Sequence, residues 1–228
     1  MTNPTNSTLH VAAGRHTYGD PASGRERLLD IAIDLFADRG IANTTVAQIA
    51  AAGKVTSAMV HYWFETRDKL YDAIVEERLV PQIRAIWSPA DLQRESACEL
   101  VHGLLARMFS VTAAAPWLPS LWLREIIQVG GLLQERVLRR IPQELNSTFR
   151  SRIADAQSRG EINPRVEPDL LFISLLALVM LPQAAAQGWN KVRPGRGPSR
   201  EQIEAHTSAL VTAGLIARTP LTSDKASQ

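Results

Sequence analysis

The segment that most constrains this chain runs from Val46 to Phe64, where two helix-like patterns follow each other almost without a gap. They meet at a tight turn, Gly53-Lys54, and the second pattern opens at Thr56, a residue type that caps helix N-termini. No Asp or Glu occurs between Asp38 and Glu65. Two short helices joined by a turn, with an acid-free outer face, are typical of a surface that meets nucleic acid.

Apolar periodicity predicts helices along most of the chain. Residues at helical spacing begin at Arg25 and recur to about residue 217, and no stretch alternates as a strand would. Gly40 suits the end of the first helix, and Pro81 is expected to end or kink the fourth, because proline cannot donate the interior hydrogen bond. We therefore predict an all-α protein of about nine helices. Three of them form a helix-turn-helix head, which a fourth joins to a larger helical body.

Bulk composition excludes few functions. The net charge of +2 is only mildly basic, so nucleic-acid binding must depend on where the charges lie. The single cysteine, Cys98, fits a reducing cytosol, and Met1 to Pro21 lacks the apolar core of a secretory signal. The longest apolar run, Leu170 to Leu181, is shorter than the roughly 20 residues of a membrane-spanning helix. We expect a cytoplasmic protein with no membrane partner.

The part of the chain from Arg25 to Val75 resembles the DNA-binding head of the TetR family of bacterial regulators. Two positions depart from the family pattern: Gly53-Lys54 stands where Ala-Gly is usual, and His61 replaces a tyrosine that contacts the DNA backbone. The matches, in order, are Leu35-Phe36-Ala37, Gly40, Thr44-Thr45-Val46, Ile49-Ala50, Val55-Thr56, Tyr62-Trp63-Phe64, Arg67-Asp68 and Leu70.

The resemblance implies a homodimeric transcriptional repressor that binds a palindromic operator in double-stranded DNA and is released by a small molecule in the body. With it we expect a disordered tail at 1-22, a DNA-binding domain at 23-87, a ligand-binding and dimerisation domain at 88-218, and a C-terminal tail at 219-228. Two alternatives stay open: a ligand-independent DNA-binding or protein-interaction module, and activation in place of repression. No glycine-rich phosphate loop or nucleophile–base spacing supports an enzyme, and no cofactor is expected.

Ten residues of the head are predicted to contact DNA. Small residues at the start of the second helix of the turn allow entry into a major groove about 12 Å wide. Thr45 and Thr56 open helices whose N–H groups attract phosphate, and Lys54 and Arg67 can bond phosphate through charge. Ser57 could instead be a cap, and Met59 could pack inward. The ten are Thr45, Gln48, Lys54, Thr56, Ser57, Ala58, Met59, His61, Tyr62 and Arg67.

The body contributes nine candidate ligand-binding residues. Its large apolar side chains include both core and pocket, which sequence cannot separate, and the Arg124-Glu125 pair either lines a cavity or points outward. Cys98 lies four residues before His102, a spacing that can hold a metal, but without further nearby ligands we predict no metal site. The nine are His102, Phe109, Trp122, Arg124, Glu125, Gln128, Phe149, Phe172 and Met180.

The helix predicted at 168-187 is apolar on nearly every side of its first half. Pairing it and the last helix, 201-217, with a second copy of the chain would bury this surface in a four-helix interface. The alternative is a helix at the centre of the core.

Overall fold

The computed structural model describes residues 21–87 and 96–215. The predicted C-terminal tail and residues 1–20 of the predicted N-terminal tail lie outside these ranges, whereas Pro21 and Ala22, predicted as tail, are helical. The predicted domain break between residues 87 and 88 falls at the edge of the described part, so the domain limits stay predictions. The described residues form ten helices and no strand, which confirms the all-α class and adds one helix to the predicted number. The helices are α1 (Pro21–Arg39), α2 (Val46–Gly53), α3 (Ser57–Phe64), α4 (Arg67–Ile74, Val75–Leu79 and Val80–Ile86), α5 (Ala97–Ala114), α6 (Leu118–Leu121 and Trp122–Ile127), α7 (Gln134–Leu138), α8 (Gln143–Ser158), α9 (Pro168–Val192) and α10 (Arg200–Leu215).

α4 continues past Pro81. The expectation that this proline ends the helix is therefore wrong. The helix widens to a π-helical turn over Val75–Leu79 and continues to Ile86. Proline cannot bond the carbonyl four residues earlier, and Arg78 Nη1 donates to that freed oxygen, Glu77 O, at 3.3 Å.

Pro182 presents the same problem inside α9, and the helix again continues, five residues beyond its predicted end. The buried hydroxyl of Thr207 on α10 donates to the carbonyl of Leu178, which Pro182 leaves without its helical partner (3.3 Å). α9 is thus long and apolar enough to span a bilayer by length and composition alone. One face of the helix packs inside the protein through residues such as Leu175 and Val179, and 39% of its most apolar stretch is buried.

α1 is the helix around which the head packs. Phe36 is fully buried and meets Tyr71 of α4 edge to face, with ring centroids 5.8 Å apart. Arg25 makes two hydrogen bonds of 2.7 Å to the Glu77 carboxylate and lies 5.1 Å from the centroid of the Phe64 ring. The bond from Arg25 holds the pKa of the Glu77 carboxyl below its ordinary value. One guanidinium therefore links α1 to both α3 and α4.

The head and the body share one continuous apolar core. Trp87, at the end of α4, lies 6.1 Å from the Phe149 ring of α8 and 4.6 Å from the Phe172 ring of α9. On the outer side of α4, Arg136 bonds Asp68 and Asp72 at 2.7 and 2.8 Å. α4 is therefore held to the body by an aromatic cluster at its end and by ion pairs along its exposed side.

Candidate nucleic-acid interface

The two helices of the predicted turn begin at capped N-termini. Thr45 Oγ1 accepts from Gln48 N–H at 3.2 Å, and Gln48 Oε1 accepts from Thr45 N–H at 2.8 Å, so the predicted capping box is present. Thr56 Oγ1 accepts from Met59 N–H at 3.2 Å and caps α3. Ser57 is therefore not the cap but the first residue of the helix, and its hydroxyl is exposed. These caps fix where both helices point.

The unusual order of Gly53 and Lys54 has a packing reason. Val55 N–H donates to Ala50 O at 2.9 Å and Lys54 N–H to Ala51 O at 3.1 Å, the two bonds of a Schellman motif. Lys54 adopts the left-handed conformation (φ 55°, ψ 40°) that glycine usually supplies. Gly53 lies one residue earlier because a Cβ there would overlap Leu28 Cδ2 of α1. The glycine allows close packing, and the lysine carries the backbone strain.

Replacing Lys54 by glycine should stabilise the protein while weakening DNA binding. The left-handed backbone costs a residue with a Cβ about 1–2 kcal/mol, and relieving it is partly offset by the larger entropy of glycine in the unfolded chain. We therefore expect Lys54→Gly to raise the free energy of unfolding in urea by about 0.5–1 kcal/mol. Loss of the charge should lower the salt slope of DNA binding by about 1. Lys54→Ala removes the same charge and keeps the strain, so it should match the binding loss without the gain in stability. Equal stability of the two variants would contradict this account.

The outer face of α3 is exposed and carries no acid. Ser57, Ala58, His61 and Tyr62 are all exposed, with Tyr62 at 77%, while Val60 and Phe64 are buried against the rest of the head. Exposure of a tyrosine to this degree leaves both its ring and its hydroxyl available to a partner. The structure therefore has the same inward and outward faces of α3 that the sequence predicts.

His61 and Glu65 close the C-terminal end of α3. His61 Nδ1 lies 3.2 Å from Glu65 O, and because a carbonyl oxygen only accepts, Nδ1 is the donor in this contact. Glu65 has a positive φ of 55°, and its carboxylate bonds Lys69 at 2.5 Å. The nearest acid to the exposed face is thus neutralised by a neighbouring lysine.

Arg67 is engaged within the head. Its Nη2 donates to Ile41 O at 3.2 Å and Thr44 O at 3.0 Å, and its guanidinium lies 5.8 Å from the centroid of the Tyr71 ring. Arg67 therefore holds the loop between α1 and α2, a role that sequence did not indicate. A contact between Arg67 and a DNA phosphate stays a prediction. Because Nη2 is used within the head, Nε and Nη1 are the nitrogens that could make it.

The nine candidate ligand residues lie in several parts of the body. Phe109, Phe149 and Met180 are buried in the core, and Phe149 and Phe172 contact Trp87. His102 joins α5 to α10, with Nε2 2.9 Å from Thr212 Oγ1, and Gln128 is exposed. None of the nine lines any of three surface cavities of about 370, 470 and 530 Å³ in the described part of the chain, so a ligand site at these residues stays a prediction.

Arg124 and Glu125 face the head. Arg124 Nη1 donates to Asp38 O at 3.3 Å, and the buried Glu125 carboxylate accepts from Ile41 N–H at 2.9 Å. The Lys191 ammonium bonds the Asp38 carboxylate and holds its pKa below the ordinary value. Neither of the two readings offered from sequence, a pocket or an outward-facing pair, describes Glu125. Its acceptor role could not be seen without knowing that residues 41 and 125 are neighbours.

The N-terminal helices match a known protein family. The protein-family model described as "Bacterial regulatory proteins, tetR family" matches residues 28–74, which span most of α1, the helix-turn-helix and the first part of α4. This range contains all ten predicted DNA contacts, including every residue of the outer face of α3.

Curated relatives extend the similarity into the body. The chain is 27% identical over 169 residues to the HTH-type transcriptional repressor SCO4008 of Streptomyces coelicolor, covering 72% of this chain and 82% of that protein. It is 23% identical over 199 residues to the HTH-type transcriptional repressor KstR2 of Mycolicibacterium smegmatis, covering 87% and 94%. The HTH-type transcriptional regulator BetI of Brucella melitensis is 29% identical over 140 residues, 61% of this chain and 70% of that one.

Solved structures share the whole fold. The ketosteroid transcriptional regulator KstR2 of Mycobacterium tuberculosis superposes with a TM-score of 0.64 at 19% identity, covering 85% of this chain and 95% of that one. A transcriptional regulator from Saccharomonospora viridis, solved in complex with choline, gives 0.58 at 19% identity, covering 86% and 100%. Together with the match of the head, these similarities show that residues 28–74 carry the helix-turn-helix of the tetR family of bacterial regulatory proteins, and that most of the chain is similar to transcriptional regulators of this DNA-binding family.

Proposed function

We propose that the protein is an operator-binding repressor whose grip on DNA is relieved by a small molecule, working in the cytoplasm where its DNA lies. The observation that supports DNA binding is the exposed outer face of α3, which has no acidic residue. The capped N-termini of α2 and α3 and the Schellman turn between them hold this face in position. A single helix presented in this way is the element that helix-turn-helix proteins insert into the major groove.

The predicted contacts fall into two groups by geometry. Ser57, Ala58, His61 and Tyr62 are in the position to read base edges, because they share the exposed face of α3. The N-termini of α2 and α3, opened by Thr45 and Thr56, together with Lys54, are suited to phosphates. Gln48 Oε1 is used in the capping box, so its amide Nε2 is the group that can reach DNA. Met59, which is half-buried, is the weakest member of the set.

We propose a homodimer formed through α9 and α10. Leu170, Ile173, Ala177 and Leu181 recur at i, i+3, i+7 and i+11 on the exposed side of α9, so they form one apolar stripe. On α10 the exposed small residues Ala205, Ala209 and Ala213 would allow a second helix to approach closely. Packing both helices against their copies would cover an apolar surface that a monomer leaves in water.

The effector is proposed to bind in the body. One of the similar proteins is described as a ketosteroid transcriptional regulator, and another was solved in complex with choline. In this chain the buried indole N–H of Trp122, at the start of the π-helical turn of α6, has no acceptor within reach in the described protein. We propose it as a donor to a bound effector, because buried donors are normally paired. The alternative function, a ligand-independent DNA-binding or protein-interaction module, would leave this group unpaired.

The function is tested by selecting fragments from random double-stranded DNA with the purified protein. We expect the bound fragments to share a palindrome whose half-sites lie about one helical turn apart, the spacing imposed by a two-fold dimer. The absence of any shared sequence at low salt would contradict operator binding.

A matched variant makes this selection sharper. Ser57→Ala removes one exposed hydroxyl from α3, and it should relax selection at particular bases at a cost of about 1–3 kcal/mol for the preferred operator. Ser147→Ala, an exposed serine of α8 in the body, is the control and should select the wild-type sequence. Unchanged base preference in Ser57→Ala would show that α3 enters the groove in another orientation.

A further inference from the structure

The body holds the end of α1 at three points. Arg124 Nη1 of α6 donates to Asp38 O at 3.3 Å, and the Lys191 ammonium of α9 bonds the Asp38 carboxylate. Glu125 Oε1 of α6 accepts from Ile41 N–H at 2.9 Å. The first two contacts are exposed, whereas the third is buried. Exposed ion pairs contribute little, so the buried bond should carry most of the constraint.

Glu125 joins the head to the body through one carboxylate. Its Oε1 bonds Ile41 N–H, and its Oε2 accepts from Leu132 N–H in the loop after α6 at 3.4 Å. The close approach of α6 to the loop at Ile41 depends on Gly40, whose φ is +87°. A Cβ there would lie 3.2 Å from Arg124 Cδ and 3.4 Å from Glu125 Oε1. A carboxylate is costly to bury without partners, and here its partners are backbone groups on both sides of the junction.

The same peptide segment is held from its other side by α4. Arg67 Nη2 donates to Ile41 O and Thr44 O, so Ile41 is bonded at its N–H by the body and at its carbonyl by the head. The loop from Gly40 ends at Thr45, the residue that caps α2. Any displacement of this loop is therefore passed directly to the start of the helix-turn-helix.

We propose that Glu125 is a positioning residue for operator binding, which sets the orientation of each helix-turn-helix relative to the body by holding Ile41. In the dimer this orientation determines the separation of the two heads. The inference rests on the proposed homodimer and its operator. Glu125 does not contact DNA and acts only through the loop from Gly40 to Thr45.

The test compares three DNA targets with the full-length protein: the selected palindrome, a single half-site, and the palindrome lengthened between its half-sites. We expect Glu125→Ala to lower affinity for the palindrome about tenfold, a typical size for coupling between sites. Half-site affinity should stay unchanged, because one head binds alone, and discrimination against the lengthened palindrome should weaken. Glu125→Gln keeps an oxygen that accepts from Ile41 N–H and should restore most of the palindrome affinity.

Glu135→Ala is the matched control, since Glu135 is exposed on α7 and bonds only Arg139 within the described protein. It should bind all three targets as the wild-type protein does. If Glu125→Ala weakens half-site and palindrome binding equally, or changes neither, the positioning role is wrong. Should Glu125→Ala fail to fold in a thermal melt, the double variant Arg124→Ala with Lys191→Ala removes the exposed contacts and should show a smaller, palindrome-specific loss. Wild-type protein that selects no DNA would instead refute the proposed function.

Discussion

Replacing Leu181 by arginine should turn the protein into a monomer and reduce its affinity for the selected palindrome by about a hundredfold or more, the range over which bivalent binding exceeds single-site binding. Leu181 is the last residue of the apolar stripe on α9 and is 57% exposed, so the substitution should not disturb the core. In a dimer formed through α9 and α10, however, the arginine would be buried without a partner, which costs several kcal/mol.

Leu138→Arg provides the control for this result. Leu138 is similarly exposed, at 46%, but lies on α7, away from the stripe. Mass measured by light scattering and operator affinity measured by fluorescence anisotropy should both distinguish the two variants. A Leu181→Arg protein that remains dimeric with wild-type affinity would show that α9 is not the interface and would return this helix to the alternative of a core element.

Replacing Gly53 by valine should destabilise the head by about 3 kcal/mol and abolish operator binding, as overpacking of a tight contact does. The new Cβ would overlap Leu28 Cδ2, and Leu28 is fully buried in α1, so it has little room to move. α2 would have to shift away from α1 and would carry α3 with it. The effect is therefore expected in both the stability of the head and its fit to DNA.

Ala52→Val is the matched control for Gly53→Val, because Ala52 is the neighbouring residue of α2 and is exposed. It introduces the same side chain into the same helix and should cost only about 0.5 kcal/mol, the propensity difference between alanine and valine. Urea unfolding followed by circular dichroism measures both. Equal stability of the two variants would mean that the α1–α2 contact is looser than the structure has it.

The helix-turn-helix could be predicted closely because its signals are local. The capping box at Thr45, the cap at Thr56 and the apolar face ending at Phe64 each depend on residues within four positions of one another. Such patterns act through the geometry of a single helix, which sequence spacing describes directly. The structure has these features where they were predicted.

Helix ends were predicted wrongly where a side chain bonds the carbonyl that a proline leaves free. Pro81 was expected to end or kink α4, but Arg78 bonds the carbonyl that it frees. Thr207 does the same for Pro182 in α9, a helix whose end was predicted five residues too early. The hydroxyl of Thr207 lies 29 residues away in sequence and reaches the oxygen only because α9 and α10 pack together. Propensity alone cannot include such partners.

Sequence by itself determined the all-α class and the faces of α3, because these follow from short-range periodicity and caps. The matching residues of the head indicated the family resemblance. Tertiary structure decided why glycine stands at position 53, where Leu28 leaves no space for a Cβ, and what Glu125 does, which is to accept the N–H of Ile41. It also showed that Arg67 supports the loop before α2. Each of these depends on groups brought together by packing across the chain, and spacing along the sequence carries no record of that proximity.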